Sequence, residues 1–237
     1  MKIIIPMAGE GSRFVNAGFQ HPKPFIEVDG KPMIKCVVDS LLQFQYEHIF
    51  LVRAEHLQTY NMRAIFPNLR YKIIPVYERT EGAALTVALA KELFTYDDSA
   101  LIVNSDQLFT YDASTVDEIN NSEADGCIWC FEGSGPKWSY VRVEDGLVKE
   151  VAEKKQISNI ATGGMYYWKS FYNFLDCANR MIYANDRVNN EFYVAPVYNY
   201  MQPYHRTIIK MLDDIDQLGT PEDLKAYEDK IRLHRND

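Results

Sequence analysis

Four short, largely continuous apolar runs, separated by stretches of helical character, limit most strongly what this chain can fold into. They are Lys2-Ile-Ile-Ile5, His48-Ile-Phe-Leu-Val52, Tyr71-Lys-Ile-Ile-Pro-Val76 and Ala100-Leu-Ile-Val103. Runs of this kind, rich in β-branched residues, mark strands buried on both faces. Between the first two, Pro32 to Gln45 carries Met33, Ile34, Val37, Val38, Leu41 and Leu42 at helical spacing, and Pro32 suits a first turn. Between the last two, Gly82 to Leu93 reads as a small, Ala-rich helix. The alternation predicts a doubly wound α/β unit over the first ~110 residues. In such units ligands collect at the carboxyl ends of the strands. The glycine loop after the first strand and Asp106 after the fourth both fall at that edge.

The rest of the chain changes character. Residues 125–131, 140–143, 147–152 and 161–168 read as short strands, with turns at Gly133-Ser-Gly-Pro136 and Asp145-Gly146. Ser170 to Ala184 and about Tyr193 to Tyr200 read as helical, and Thr207-Ile-Ile-Lys-Met211 as a last strand. Pro221 to Leu233 reads as a closing helix, capped by Thr220 and with Glu222 and Asp223 in its first turn. No linker rich in Pro, Gly or Ser divides the chain, and no internal repeat is visible. The expectation is one domain over 1–237, a Rossmann-like three-layer α/β sandwich with a mixed, mostly parallel central sheet.

A formal net charge of -8, from 25 Lys plus Arg against 33 Asp plus Glu, argues against a surface for holding DNA or RNA. An anionic ligand would need a local cationic pocket, and a metal ion, inside a repelling overall field. Cys36 and Cys177 are isolated, and Cys127-Ile-Trp-Cys130 lacks a second Cys or His pair for a zinc site. On a strand its two thiols point to opposite faces, so all four cysteines read as small buried residues in a reduced cytosol. No apolar run approaches the ~18 residues of a membrane span. The first apolar stretch, broken by Pro6 and Glu10, is too short for a signal-peptide core. A cytoplasmic protein without a membrane partner is expected.

The sharpest chemical signal is Ala8-Gly-Glu-Gly-Ser-Arg-Phe14, followed by His21-Pro-Lys-Pro24 and Gly30-Lys-Pro32. Glycines after a strand let backbone N–H groups approach phosphate oxygens. Phe14 stands where a dinucleotide fingerprint needs glycine, and no Gly-Lys-Ser/Thr follows to make a P-loop. What remains is a glycine loop with Arg13 inside it and Lys23 a little beyond, a forked clamp and a point charge suited to a polyphosphate. A tight turn with solvated Arg and Lys is the alternative for either piece alone.

Taken together, Gly-x-Gly-Ser-Arg-Phe, Pro-Lys-Pro and Gly-Lys-Pro-Met resemble the signature of the nucleotidyltransferases that make nucleotide-activated sugars and alcohols. These are the sugar-1-phosphate nucleotidylyltransferases, or pyrophosphorylases, and related small cytidylyltransferases, on a GT-A-like fold. Thr80-Glu-Gly-Ala-Ala84 resembles the family's base-recognition loop, and Leu101-Ile-Val-Asn-Ser-Asp106 its metal-binding strand end. Glu153-Lys154, Thr162-Gly-Gly-Met-Tyr-Tyr167 and Leu218-Gly-Thr-Pro-Glu-Asp-Leu224 are similar to its later motifs. The resemblance makes residues 1–110 the nucleotide-binding half and 111–237 the acceptor-binding half.

The implied reaction needs no covalent nucleophile. A phosphate oxygen of the acceptor attacks the α-phosphorus of a nucleoside triphosphate and pyrophosphate leaves, so catalysis is positioning and charge neutralisation. The resemblance implies that the backbone of Gly9, Glu10, Gly11 and Ser12, with Arg13, holds the departing phosphates and Lys23 the α-phosphate. It implies Mg2+ on Asp106. Lys154 would meet the acceptor's phosphate, Gly164 lies in the Gly-x-Tyr strand on the acceptor side, and Ala8, Glu81, Gly82 and Ser105 face the nucleotide. Glu191, in Asn189-Asn-Glu-Phe192, is a candidate acceptor contact or a plain surface loop. Asp106 could instead cap a helix, Lys154 belong to a solvated charge run, and Glu81-Gly82 form a turn. Many family members place a second metal-binding Asp two residues before the closing Gly-Thr. Gln217 stands there, leaving Asp216 as the candidate through a shifted loop. CTP is expected ahead of UTP or dTTP, with a sugar 1-phosphate or another phosphorylated small molecule as acceptor, for capsule or other surface-polymer precursors. A homo-oligomer is compatible with the sequence. The rival readings are a glycosyltransferase, which would show Asp-x-Asp where Asn104-Ser105-Asp106 stands, and a silent nucleotide-sensing module.

Overall fold

The computed structural model describes residues 1–41, 46–112 and 114–236. In chain order its strands are β1 (Lys2–Met7), β2 (Glu27–Val28), β3 (Lys31–Pro32), β4 (Glu47–Arg53), β5 (Tyr71–Val76), β6 (Ala100–Val103) and β7 (Gln107–Thr110). Then come β8 (Gly126–Glu132), β9 (Ser139–Glu144), β10 (Leu147–Glu153), β11 (Ile160–Trp168), β12 (Thr207–Met211) and β13 (Asp214–Gln217). The main sheet runs β10-β9-β11-β6-β1-β4-β5, with β8 joining β11 to β12. β6, β1, β4 and β5 are mutually parallel, and β11 lies antiparallel to β6. One mixed sheet therefore takes strands from both sides of residue 110.

The continuous apolar runs are explained by burial on both faces. Ile4, Ile49, Leu51 and Ile102 pack with Ala84, Val87, Phe171 and Phe174. Their strand neighbours Ile3, Ile5, Phe50, Val52, Leu101 and Val103 pack with Ile34, Val37 and Val38. Helices Ala83–Ala88 and Phe171–Tyr183 thus cover one face, and helix Met33–Ser40 the other. Cys130 belongs to the first core and Cys127 to the second, the opposite faces expected of their spacing. A third, smaller core of Phe14, Ile26, Val28, Met33, Leu218 and Leu224 ties the glycine loop to the closing helix Pro221–Asn236, whose first turn Thr220 caps through a bond from the Asp223 N–H.

The sheet parts at one point. At Ala161, β11 pairs with Tyr140 of β9, whereas from Met165 to Trp168 it pairs with β6. Gly163 and Gly164 lie in the gap, and the Gly164 carbonyl accepts from the Asn104 N–H at the end of β6. An opening between strand partners at the carboxyl end of a parallel strand is where α/β folds place ligands.

Several boundaries differ from the sequence reading. The helix begun at Met33 ends at Ser40 with Leu41 as its cap, and residues 42–45 lie outside the described residues. The segment from Gly82 to Leu93 divides into the helix Ala83–Ala88 and a 3-10 turn Lys91–Leu93. The segment from Tyr193 begins as coil, and its helical part is the 3-10 helix Ala195–Tyr200, with Pro196 in its first turn. The small ladders β2–β3 and β7–β13 were not anticipated.

Candidate active site

β1 ends at Met7, and the chain turns through Ala8, Gly9, Glu10 and Gly11 into the short helix Ser12–Asn16. Gly11 has φ +62°, and a Cβ there would stand 2.9 Å from the Lys23 Cβ. Glycine is required by both conformation and contact, and its absence of side chain lets Lys23 lie directly across the loop. The Lys23 ammonium forms an ion pair with the Asp106 carboxylate. Each of these side chains is about four-fifths shielded, at 20% and 23% relative exposure. Asp106 does not cap a helix: it follows Ser105 in the turn between β6 and β7. Leu218 donates its N–H to the Asp106 carbonyl at 2.8 Å. A Cβ on Gly219 would stand 3.1 Å from Asp106 Oδ2, so one flank of the carboxylate is free of side chain. Carboxylate oxygen of this kind suits Mg2+. Among the described residues no group of three or more His, Cys, Asp and Glu gathers into a metal site.

Asp216 is placed elsewhere. Successive residues of a strand face opposite ways. On β13 the Gln217 Oε1 accepts from Gln107 Nε2 at 3.0 Å, and Gln107 Oε1 accepts from Asn104 Nδ2 at 3.0 Å. Asp216 points to the other side and pairs with Lys230 of the closing helix at 2.7 Å. The shifted loop that would bring Asp216 beside Asp106 is not formed, and the amide of Gln217 takes the inward position. The same amide row accounts for Gly164, since a Cβ there would fall 1.7 Å from Gln107 Oε1.

Glu81 and Gly82 lead into helix Ala83–Ala88. Gly82 has φ +132°, and a Cβ would lie 2.4 Å from both the N and the O of Phe192. The Phe192 N–H donates to the Glu81 carbonyl at 2.8 Å, and its carbonyl accepts from the Ala84 N–H at 3.0 Å. The base-loop candidate and the segment carrying Glu191 are thus clamped together. Arg187 pairs with Glu81 and lies 4.3 Å from the Phe192 ring centroid. Arg79 bridges the remaining pieces, 3.0 Å from Glu10 and 3.7 Å from Glu191.

Lys154 lies at the end of β10 in a left-handed conformation, φ +55°, with its N–H bonded to the Trp138 carbonyl at 2.9 Å. Its ammonium reaches the Tyr193 hydroxyl and stands 4.6 Å from that ring's centroid. Burial pushes the Tyr193 hydroxyl pKa up, the carboxylates of Glu191 and Glu153 add to the rise, and the guanidinium of Arg13 opposes it. Burial also raises the Glu153 carboxyl, against the lowering effects of its bond from Ser139 and of Lys154. Arg79, Arg187 and Tyr193 escaped the sequence reading because no motif marks them; only their pairing across the fold does.

The model of the nucleotidyl transferase family matches residues 2–195. The chain belongs to this family. Among curated proteins, this nucleotidyltransferase family member is 29% identical over 176 residues to the catalytic subunit beta of mannose-1-phosphate guanylyltransferase from Danio rerio, covering 70% of the chain and 49% of that protein. The Xenopus tropicalis counterpart is 26% identical over the same shares. The chain thus spans about half the length of the curated relatives it matches. Among solved structures, a nucleoside-diphosphate-sugar pyrophosphorylase from Vibrio cholerae RC9 superposes with TM-score 0.80 at 24% identity, over 96% of this chain and 99% of that one. The inositol-1-phosphate CTP transferase from T. maritima superposes with TM-score 0.73 at 16% identity, over 96% and 93%. At these identities the likeness establishes the fold. Among the described residues no helix is long and apolar enough to cross a membrane.

Proposed function

We propose that this family member transfers a nucleoside monophosphate from a nucleoside triphosphate to the phosphate of a small acceptor, a sugar 1-phosphate or a similar phosphomonoester, and releases pyrophosphate. The observation that carries the reading is the convergence of Lys23 and Asp106 across Gly11 of the glycine loop. A triphosphate lying along the loop would meet N–H groups of Gly9 to Ser12 and the Arg13 guanidinium on its β- and γ-phosphates. Lys23 would face the α-phosphate. Asp106 would hold Mg2+, together with phosphate oxygens and water, and the ion would supply positive charge to the phosphates. Lys154 would hold the acceptor's phosphate so that one of its oxygens lines up with the α-phosphorus. That oxygen forms the new P–O bond, the bond to the bridging α–β oxygen breaks, and the electron pair leaves with pyrophosphate. No protein nucleophile takes part, and rate comes from alignment and matched charge.

Ala8, Glu81 and Gly82 would contact the nucleoside. CTP is proposed first, UTP and dTTP next, on the strength of Gln217 where many sugar-nucleotide-forming members carry an acid. The product would feed a surface polymer such as a capsule, and the protein would work in the cytoplasm. A coupled pyrophosphate-release assay tests the reading, with CTP, UTP, dTTP, GTP and ATP each offered with a panel of phosphomonoesters and Mg2+. Lys23→Ala and Asp106→Asn are each expected to lower turnover at least about a hundredfold while far-UV circular dichroism is unchanged. Near wild-type rates in both variants would overturn the assignment, and chelation of divalent ions without loss of rate would remove the metal from it.

A further inference from the structure

Among the described residues one side chain, that of Tyr193, holds the Lys154 ammonium, and it lies outside every motif. Lys154 has three N–H donors and nothing to accept with. One donor goes to the Tyr193 hydroxyl, and the charge also rests against the Tyr193 ring, 4.6 Å from its centroid. Lys154 can only donate, so the Tyr193 hydroxyl oxygen accepts that bond, and burial together with the negative charge of Glu191 favours the hydroxyl keeping its own proton. Glu191 in turn lies 3.7 Å from Arg79, which holds Glu10 of the glycine loop at 3.0 Å. The backbone just before Tyr193 is bonded to Glu81 and Ala84 through both polar groups of Phe192. Tyr193 therefore stands where the acceptor lysine, the base loop and the phosphate loop are joined.

We propose that Tyr193 is a positioning residue: its hydroxyl and ring fix the Lys154 ammonium with two donors free, aimed at the acceptor's phosphate. The inference rests on the reading of Lys154 as the acceptor-phosphate cation. Unrestrained, a lysine spreads over many rotamers, and a phosphate that binds it must bear the ordering. Anchored by Tyr193, the ammonium is ordered before the phosphate arrives. The arrangement also makes a distinction between the two substrates, because Tyr193 acts on the acceptor's cation and leaves Lys23 and Asp106 alone.

The test uses the full chain labelled with 15N-lysine, and inorganic phosphate as the probe. The Lys154 ammonium resonance is assigned by its loss in Lys154→Arg. In the wild type it is expected to be shifted by the tyrosine ring, protected from solvent exchange, and moved by added phosphate. Tyr193→Phe keeps the ring shift but loses the protection, and its apparent phosphate affinity falls at least about tenfold, the loss of one hydrogen bond to a charged group. Tyr193→Ala loses ring shift and protection together. Wild-type phosphate affinity at Lys154 in Tyr193→Phe, with the fold intact by circular dichroism, would overturn the positioning role alone. A Lys154 signal that phosphate does not move in the wild type would overturn the acceptor-phosphate reading, and the role of Tyr193 with it. Once an acceptor is known, the same variant must raise its KM and leave the KM of the triphosphate unchanged.

Discussion

Replacing Gly82 by alanine tests the packing on which the site depends. Gly82 has φ 132° and ψ 169°. That is a region open almost only to glycine, and an alanine held there bears strain of about 1–3 kcal/mol. The new methyl would also meet the Phe192 backbone, N and O, at 2.4 Å. Backbone cannot swing aside as a long side chain does, so overpacking adds about 1–3 kcal/mol more. The sum is about 4 kcal/mol. For a domain of this size that corresponds to a fall in Tm of roughly 8–16 °C. Gly146 supplies the control: its φ is +73°, and a Cβ there meets nothing within 4 Å. Gly146→Ala therefore feels only the left-handed penalty, about 1–2 kcal/mol, or roughly 2–8 °C. Thermal unfolding followed by circular dichroism reads both variants. Because the methyl pushes the segment bearing Glu191 and Tyr193 away from the base loop, Gly82→Ala should also weaken triphosphate and acceptor together. If Gly82→Ala melts with Gly146→Ala and keeps wild-type kinetics, the clamp between the two segments is not tight and the argument built on it fails.

Other expectations follow from burial. His48 is fully buried, its Nδ1–H donates to the Tyr46 carbonyl at 3.1 Å, and its Nε2 has no partner. Burial lowers its pKa from 6.5 to about 4, so below pH 6.5 the unfolded chain binds a proton that the native chain refuses. Stability from this group is complete above pH 6.5 and falls as pH drops toward 4, by about 3 kcal/mol at most; denaturant melts of His48→Phe should show correspondingly less loss than wild type over that range. Burial raises the pKa of all four thiols, that of Cys177 to about 12, and Cys36 alone is less than fully buried. A disulfide reagent at pH 8 should react slowly with Cys36 and reach the other three only in denaturant. Cys127→Ser and Cys130→Ser should lower stability and leave kcat unchanged; a catalytic loss without unfolding would reopen a chemical role for the pair.

The parallel half of the fold was legible because its strands are buried on both faces, and such strands write themselves as unbroken apolar runs. The glycine loop was legible because it is local: Gly11, Arg13 and Lys23 lie within a short stretch of chain. β2 and β3, two residues each, are too short to carry a period, and they form where left-handed Asp29 and Gly30 turn the chain back. β7 and β13 pair across more than a hundred residues, and without that register the parity of Asp216 and Gln217 could not be read. The helix after Gly82 is shorter than its composition implied, because Leu89 and Ala90 close it into a 3-10 turn. Tyr193 meets Lys154, and Arg79 meets Glu10, through tertiary contacts that neither composition nor spacing announces.

The change of strand partner at Gly163–Gly164 has an evolutionary corollary. Glycine loop, Lys23 and Asp106 hang on one set of strands, while Lys154 ends a hairpin of β9 and β10 that meets the others chiefly through β11. On the proposed assignment of Lys154 to the acceptor's phosphate, drift in the hairpin would retune which phosphate ester is admitted without disturbing the grip on the triphosphate. Grafting residues 139–154 between relatives should accordingly transplant acceptor choice while the preferred base stays with the recipient.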